Sequence, residues 1–280
     1  MKLHLYNLVS REEISSRNVP DADWKTVSAG GSVFTLISRE GRAAAFRITE
    51  DGEGCLPVPL PQNWQNLKEA AVSCLHEGHI AACDLFGKIH FCTPEKADCV
   101  RFPKGVQKIS SGCVLAALTP EGRVFYRAYQ SRYGGDAWTD TGWENVADIS
   151  AGPRRLCGVT ADGQVLLQSF AGGAADFFEP SPRGLTQASA AAEGHTGIYT
   201  LRDGRLCLNG RILGAGSDFT ALGCGVSTTL EFAVCRRRDG SFLTALTGGT
   251  FIPSSMFIPD AQSVALWDAG DRFMACLSQE

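Results

Sequence analysis

The chain has 280 residues, 44% of them hydrophobic, with a formal charge of −4 and eleven cysteines. That balance argues against the basic face of a nucleic-acid-binding domain, and no stretch approaches the ~20 consecutive apolar residues of a membrane-spanning helix. An odd cysteine count without paired spacings, and no apolar leader after Lys2, read as free thiols in the reducing cytoplasm.

In chain order, Met1 to Tyr6 reads as a lone apolar strand, with Leu3 and Leu5 alternating on one face. Trp24 then opens a unit: Val27-Ser28-Ala29-Gly30, an apolar strand over 32–38, a turn at Gly41 and a second apolar strand. The stretch from Gly52 to Gln62, with Pro57, Pro59 and Pro61, reads as an extended, exposed connector. Trp64, Leu67 and Ala71 have helical spacing, but the segment from Asn63 to Val72 is expected to form only a single turn before the next unit.

The second unit turns at Gly87 and holds Cys74, His76, His79, Cys83, His90, Cys92 and Cys99. A hairpin reversing at Phe86-Gly87 would set Cys83 nearly opposite His90, a pair that zinc could use with two further ligands. No Cys-x-x-Cys element accompanies them, and Cys74 and Cys83 fall at positions the repeat fills in any case. Buried thiols and surface histidines are the expectation, with no metal and no cofactor.

Units three and four are the clearest. One runs Ile109-Ser110-Ser111-Gly112, 114–119, then Glu121-Gly122-Arg123-Val124; the other runs Ile149-Ser150-Ala151-Gly152, 156–160, then Asp162-Gly163-Gln164-Val165. Between them, Tyr126, Tyr129, Arg132, Tyr133 and Trp138 concentrate the residue types that dominate protein interfaces, and they are the candidate partner-binding residues. The competing expectation is that these rings cap the outer strand. Arg154-Arg155 and Arg236-Arg237-Arg238 read as solvated turn arginines.

Units five and six turn at Gly204 and Gly240, with Ala188-Ser189-Ala190-Ala191 and Leu222-Gly223-Cys224-Gly225 in place of the motif. Ala275 to Glu280 then matches Ala116 to Glu121 and stops before the glycine and second strand, which Met1 to Tyr6 supply. The turn glycines Gly41, Gly87, Gly122, Gly163, Gly204 and Gly240 lie 46, 35, 41, 41 and 36 residues apart, one supersecondary unit repeated. The expectation is a single all-β domain over 1–280: a seven-bladed β-propeller whose seventh blade combines 263–280 with 1–9. Lys2 to Leu8 should pair antiparallel with the strand ending near Leu277, because closure removes the last unpaired edges.

The combination Val/Ile-Ser-Ala/Ser-Gly, apolar-apolar-Thr and Asp/Glu-Gly-Arg/Gln-Val resembles the repeat of the regulator of chromosome condensation superfamily. Trp24 and Trp143, each a few residues ahead of the serine, fit the same pattern, and the compact units are similar to those of the bacterial β-lactamase inhibitor protein of that fold. The resemblance implies a propeller, and the superfamily spans exchange factors, inhibitors and scaffolds.

No Gly-x-Ser-x-Gly elbow, phosphate-binding glycine loop or His-Glu-x-x-His is present in the sequence, and no catalytic residues are expected. The reading is a monomeric, non-enzymatic, cytoplasmic interaction protein: an inhibitor, sequestering factor or adaptor for another protein, without nucleic-acid or membrane partners. A guanine-nucleotide exchange factor-like regulator of a small GTPase is the alternative that the resemblance implies. Small-ligand binding in the central channel is the third.

Overall fold

The computed structural model describes residues 2–18, 23–49, 54–74, 78–93, 97–102, 105–129, 137–170, 188–193, 197–213, 216–226, 231–247, 252–256, 258, 262, 264–270 and 273–278. Strands β1 (Lys2–Asn7) and β2 (Glu13–Asn18) come first. Next is the sheet β3 (Trp24–Gly30), β4 (Val33–Ser38), β5 (Ala43–Ile48) and β6 (Cys55–Val58), paired in that order. The same order recurs in β7 (Leu67–Val72), β8 (Ile80–Asp84), β9 (Lys88–Cys92) and β10 (Ala97–Arg101). It recurs again in β11 (Lys108–Ser111), β12 (Val114–Leu118), β13 (Val124–Ala128) and β14 (Thr139–Asp140).

A three-stranded sheet follows: β15 (Val146–Ala151), β16 (Arg155–Thr160) and β17 (Val165–Ser169). Then come β18 (Ala188–Glu193), β19 (Ile198–Arg202), β20 (Arg205–Leu208) and β21 (Arg211–Ile212). The last internal sheet is β22 (Phe219–Val226), β23 (Glu231–Arg237), β24 (Phe242–Thr247) and β25 (Ile252–Met256). Finally β26 (Val264–Gly270) and β27 (Phe273–Ser278) join the N-terminal strands in the order β2-β1-β27-β26. All seven sheets are antiparallel, and no α-helix occurs among the described residues.

The recurring Thr or Ser and Gly of the repeat build one kind of turn. Thr119 donates its N–H to the Arg123 carbonyl at 2.9 Å, accepts the Gly122 N–H on its own carbonyl at 3.0 Å, and accepts the Arg123 N–H on Oγ1 at 3.3 Å. Ser38 and Thr160 do the same, their hydroxyls accepting from Arg42 at 3.1 Å and Gln164 at 2.9 Å. Closing this loop into a hairpin needs positive φ at the third loop residue, and Gly122 has φ 75°.

The Ser-x-Gly element joins one sheet to the next. Ser28 Oγ accepts the Val72 N–H at 3.3 Å, and Ser110 Oγ accepts the Ala151 N–H at 2.8 Å. Asp268 takes the serine's place in the last sheet and accepts the Ala29 N–H at 2.8 Å. These N–H groups lie on innermost strands, whose free edge would otherwise be unpaired. Glycine follows because the neighbouring backbone is too close for a side chain: a methyl group on Gly112 would stand 2.3 Å from the Ala151 carbonyl oxygen. Innermost strands accordingly contact one another in succession, β3 with β7, β11, β15, β18, β22 and β26 in turn along the chain, and β26 touches β3.

Several expectations meet their test here. Strand β1 does pair antiparallel with β27, from Lys2 opposite Ser278 to Asn7 opposite Phe273. The proline-rich stretch is extended but is no free connector: β6 pairs with β5, with Pro57 opposite Phe46 on an edge strand that tolerates its missing N–H. The residues with helical spacing lie partly in strand β7, after a turn in which Trp64 donates to the Pro61 carbonyl at 3.0 Å. Cys83 is not opposite His90. The register pairs Cys83 with Ile89 and His90 with Ala82, so the two side chains leave opposite faces of the sheet. The hairpin register lies one residue away from the expected one.

The sheets pack face to face through clusters of buried side chains. Leu3, Leu5, Trp24, Phe34 and Leu277 form one of them, uniting both chain ends with the first internal sheet. All eleven cysteines carry free thiols, and Cys83, Cys157, Cys207, Cys235 and Cys276 are buried as small apolar groups.

Candidate functional site

The rings proposed for partner binding turn largely inward. Tyr126 is half-buried and meets Phe170 edge-on at 4.7 Å. Tyr129 shares a 2.5 Å hydrogen bond with Ser111 and packs edge-on against His79, and burial pushes its phenol pKa up. Trp138 lies edge-on to Phe102 at 4.9 Å. Arg132 and Tyr133 lie outside the described residues. Of the arginine clusters, Arg236 donates to the Val264 carbonyl at 2.9 Å and sits over the Phe242 ring, so it joins two sheets.

The second-unit cluster does not gather. His76 is outside the described residues, and among the described residues no three His, Cys, Asp or Glu side chains converge on a metal position. His90 instead bonds Asp84 at 3.1 Å, both buried. The other oxygen of Asp84 accepts the Phe86 and Lys88 N–H groups, each at 2.9 Å. Asp84 thereby does for this turn what Thr119 does for its own, with a histidine behind it. The fixed turn pushes Leu85 and Phe86 outward, 66% and 79% exposed. The residue just before the turn glycine is acidic in the other five units: Glu40, Glu121, Asp162, Asp203 and Asp239. Phe86 stands in that place.

The innermost strands of all seven sheets enclose a cavity of about 420 Å³. Three of its charged residues occupy a recurring position just past a strand bulge or at a strand start, Glu69 on β7, Lys108 on β11 and Asp148 on β15, while Asp268 lies two residues further along its own strand and Lys25 at the bulge of β3. Lys108 and Asp148 form an ion pair at 2.5 Å. Glu69 accepts the Ile109 N–H at 3.3 Å, and burial pushes its carboxyl up to about 7 against the pull of Lys108. Asp268 also accepts the Ala269 N–H at 2.9 Å, and burial pushes it up to about 6. Burial disfavours charged Lys108, but Asp148 first, then Glu69 and Asp268, raise its pKa beyond the usual value. From β18 and β22 the wall is apolar or small, through Ala192, Leu222 and Gly223.

With this geometry, solved structures align over the whole chain. Human WBSCR16 aligns with a TM-score of 0.70 at 12% identity, covering 100% of both chains. The shared fold is a β-propeller. Prp20p from Saccharomyces cerevisiae, in a structure reported with its binding to Gsp1p and histones, aligns at 0.69 and 12% identity, covering 100% of this chain and 92% of its own. The WD40 propeller domain of Doa1 aligns at 0.58 and 14% identity, covering 98% of this chain and 97% of that one. No family model and no curated protein matches the chain. No helix among the described residues of this propeller is long and apolar enough to cross a membrane.

Proposed function

We propose that residues 1–280 form one closed ring of seven blades, and that this ring is a non-catalytic adaptor, sequestering factor or inhibitor that binds a partner protein through the Leu85–Phe86 turn. The observation that carries the reading is the substitution of an exposed Phe86, beside exposed Leu85, at a position acidic in five equivalent turns. Single exposed apolar residues are ordinary on protein surfaces, whereas an adjacent pair on a turn fixed by Asp84 presents apolar area at little entropic cost. The pairing of β1 with β27 and the Asp268 bond to Ala29 support the closed ring. Protein partners are also what Prp20p is reported to bind: Gsp1p, histones and, in a further structure, Kap60.

The test is affinity capture from the native host with three proteins: wild type, Leu85→Ser/Phe86→Ser, and Arg132→Ala/Tyr133→Ala. The last pair examines the segment from Tyr126 to Trp138 as a second docking surface. Loss of a stoichiometric partner from the Leu85/Phe86 variant alone supports the reading. Capture that the variant leaves unchanged contradicts it. The exchange-factor alternative rests on the Prp20p likeness and is decided by nucleotide-release assays on small GTPases.

A further inference from the structure

Beyond protein binding, we propose that the cavity between the innermost strands binds a small organic cation, an ammonium-bearing molecule with an apolar body. At about 420 Å³ the space is within the usual ~300–1,000 Å³ of small-molecule sites. Its wall has two chemical halves. Thr26, Ser28, Glu69, Ser110, Ser150 and Asp268 make one side polar, and Ala192 and Leu222 give the other side an apolar or small surface.

Three carboxylates, Glu69, Asp148 and Asp268, line the cavity against two lysines, Lys25 and Lys108, which leaves one negative charge unbalanced when all are ionised. Lys108 is committed to Asp148 at 2.5 Å. Lys68 donates to the Val106 carbonyl and Lys25 to the Leu67 carbonyl at 3.4 Å. Glu69 and Asp268 therefore accept backbone N–H groups but form no ion pair among the described residues. Burial outweighs the pull that Lys108 exerts on both carboxylates, raises their pKa values and leaves them partly protonated between about pH 6 and 7. A ligand ammonium supplies the same positive charge and displaces those protons. Cys74 and Cys224 also line the cavity.

Pentylammonium is a suitable probe, with pentanoate and pentan-1-ol as controls, titrated calorimetrically into the full-length protein at low ionic strength. Saturable one-to-one binding of pentylammonium is expected at pH 8, and at about pH 6.5 binding should release protons, visible as a dependence on buffer ionisation heat. Affinity should fall about thirtyfold by pH 5.5, as a carboxyl with a pKa of about 7 protonates. Glu69→Gln should weaken binding and flatten the pH profile; if that variant does not fold, the wild-type pH profile and the controls decide. Absence of saturable binding, equal affinity for pentan-1-ol or pentanoate, or undiminished binding by folded Glu69→Gln would overturn the proposal.

Discussion

Leu3 lies directly opposite Leu277, both fully buried, so the first strand of the chain is held by the last. Leu5, Tyr6 and Leu8 are buried with it, and His4 adds a 3.0 Å hydrogen bond to Ser278. Burying each large apolar side chain contributes on the order of 2 kcal/mol, so this strand belongs to global rather than local stability.

Deleting residues 1–8 should therefore lower the melting temperature of the whole domain and expose the edges of β27 and β2 to intermolecular pairing. Thermal unfolding and light scattering of the truncated chain measure both effects. Leu3→Ala alone should cost about 2–5 kcal/mol.

The link from one sheet to the next makes a graded prediction. Ser110→Ala leaves the Ala151 N–H without its acceptor and should cost about 1 kcal/mol. Gly112→Ala forces a methyl group against the Ala151 and Gly152 carbonyl oxygens and should cost about 2–3 kcal/mol or more. Urea unfolding of the two variants gives the ranking.

Most of the architecture was legible because the turn chemistry is local. All six glycines read as turns have φ between 71° and 89°, and Ser38, Thr119 and Thr160 close their own loops within four residues. The role of Ser28 and Ser110 was not legible, because their acceptors' partners, Val72 and Ala151, lie one whole repeat away. Nor was the inward turn of Tyr129 and Trp138, since composition does not say which face of an outer strand meets a neighbouring sheet. The cavity did leave a signal: Glu69, Lys108 and Asp148 each precede the apolar-Ser or apolar-Ala pair of their unit. Stacking the repeats, rather than reading the chain linearly, brings them together. The same stacking exposes Phe86 among acidic residues.

Glu69 should shape the pH dependence of stability. Its carboxyl rises from an ordinary 4.5 to about 7 on folding, so its contribution is full below about 4.5 and lost as pH rises through about 7. Glu69→Gln keeps an acceptor for the Ile109 N–H and removes the charge. The variant should be more stable than wild type at pH 8, by on the order of 1–2 kcal/mol after allowing for solvent in the cavity, with the gain vanishing near pH 4.5. Denaturant melts across that range measure it. A wild type that matches the variant at pH 8 would show that Glu69 is not held against its charge.

The central claim is that the Leu85–Phe86 turn meets a partner protein, and site-directed photocrosslinking tests it most directly. A benzophenone amino acid replaces Phe86 in one protein and, as controls, Glu121 or Asp162 at the equivalent turn position in two others; all three are irradiated in native host extract. The account predicts one dominant protein adduct from position 86, competed away by unlabelled wild-type protein and absent from positions 121 and 162. No adduct at position 86, or the same adducts from all three positions, would contradict it.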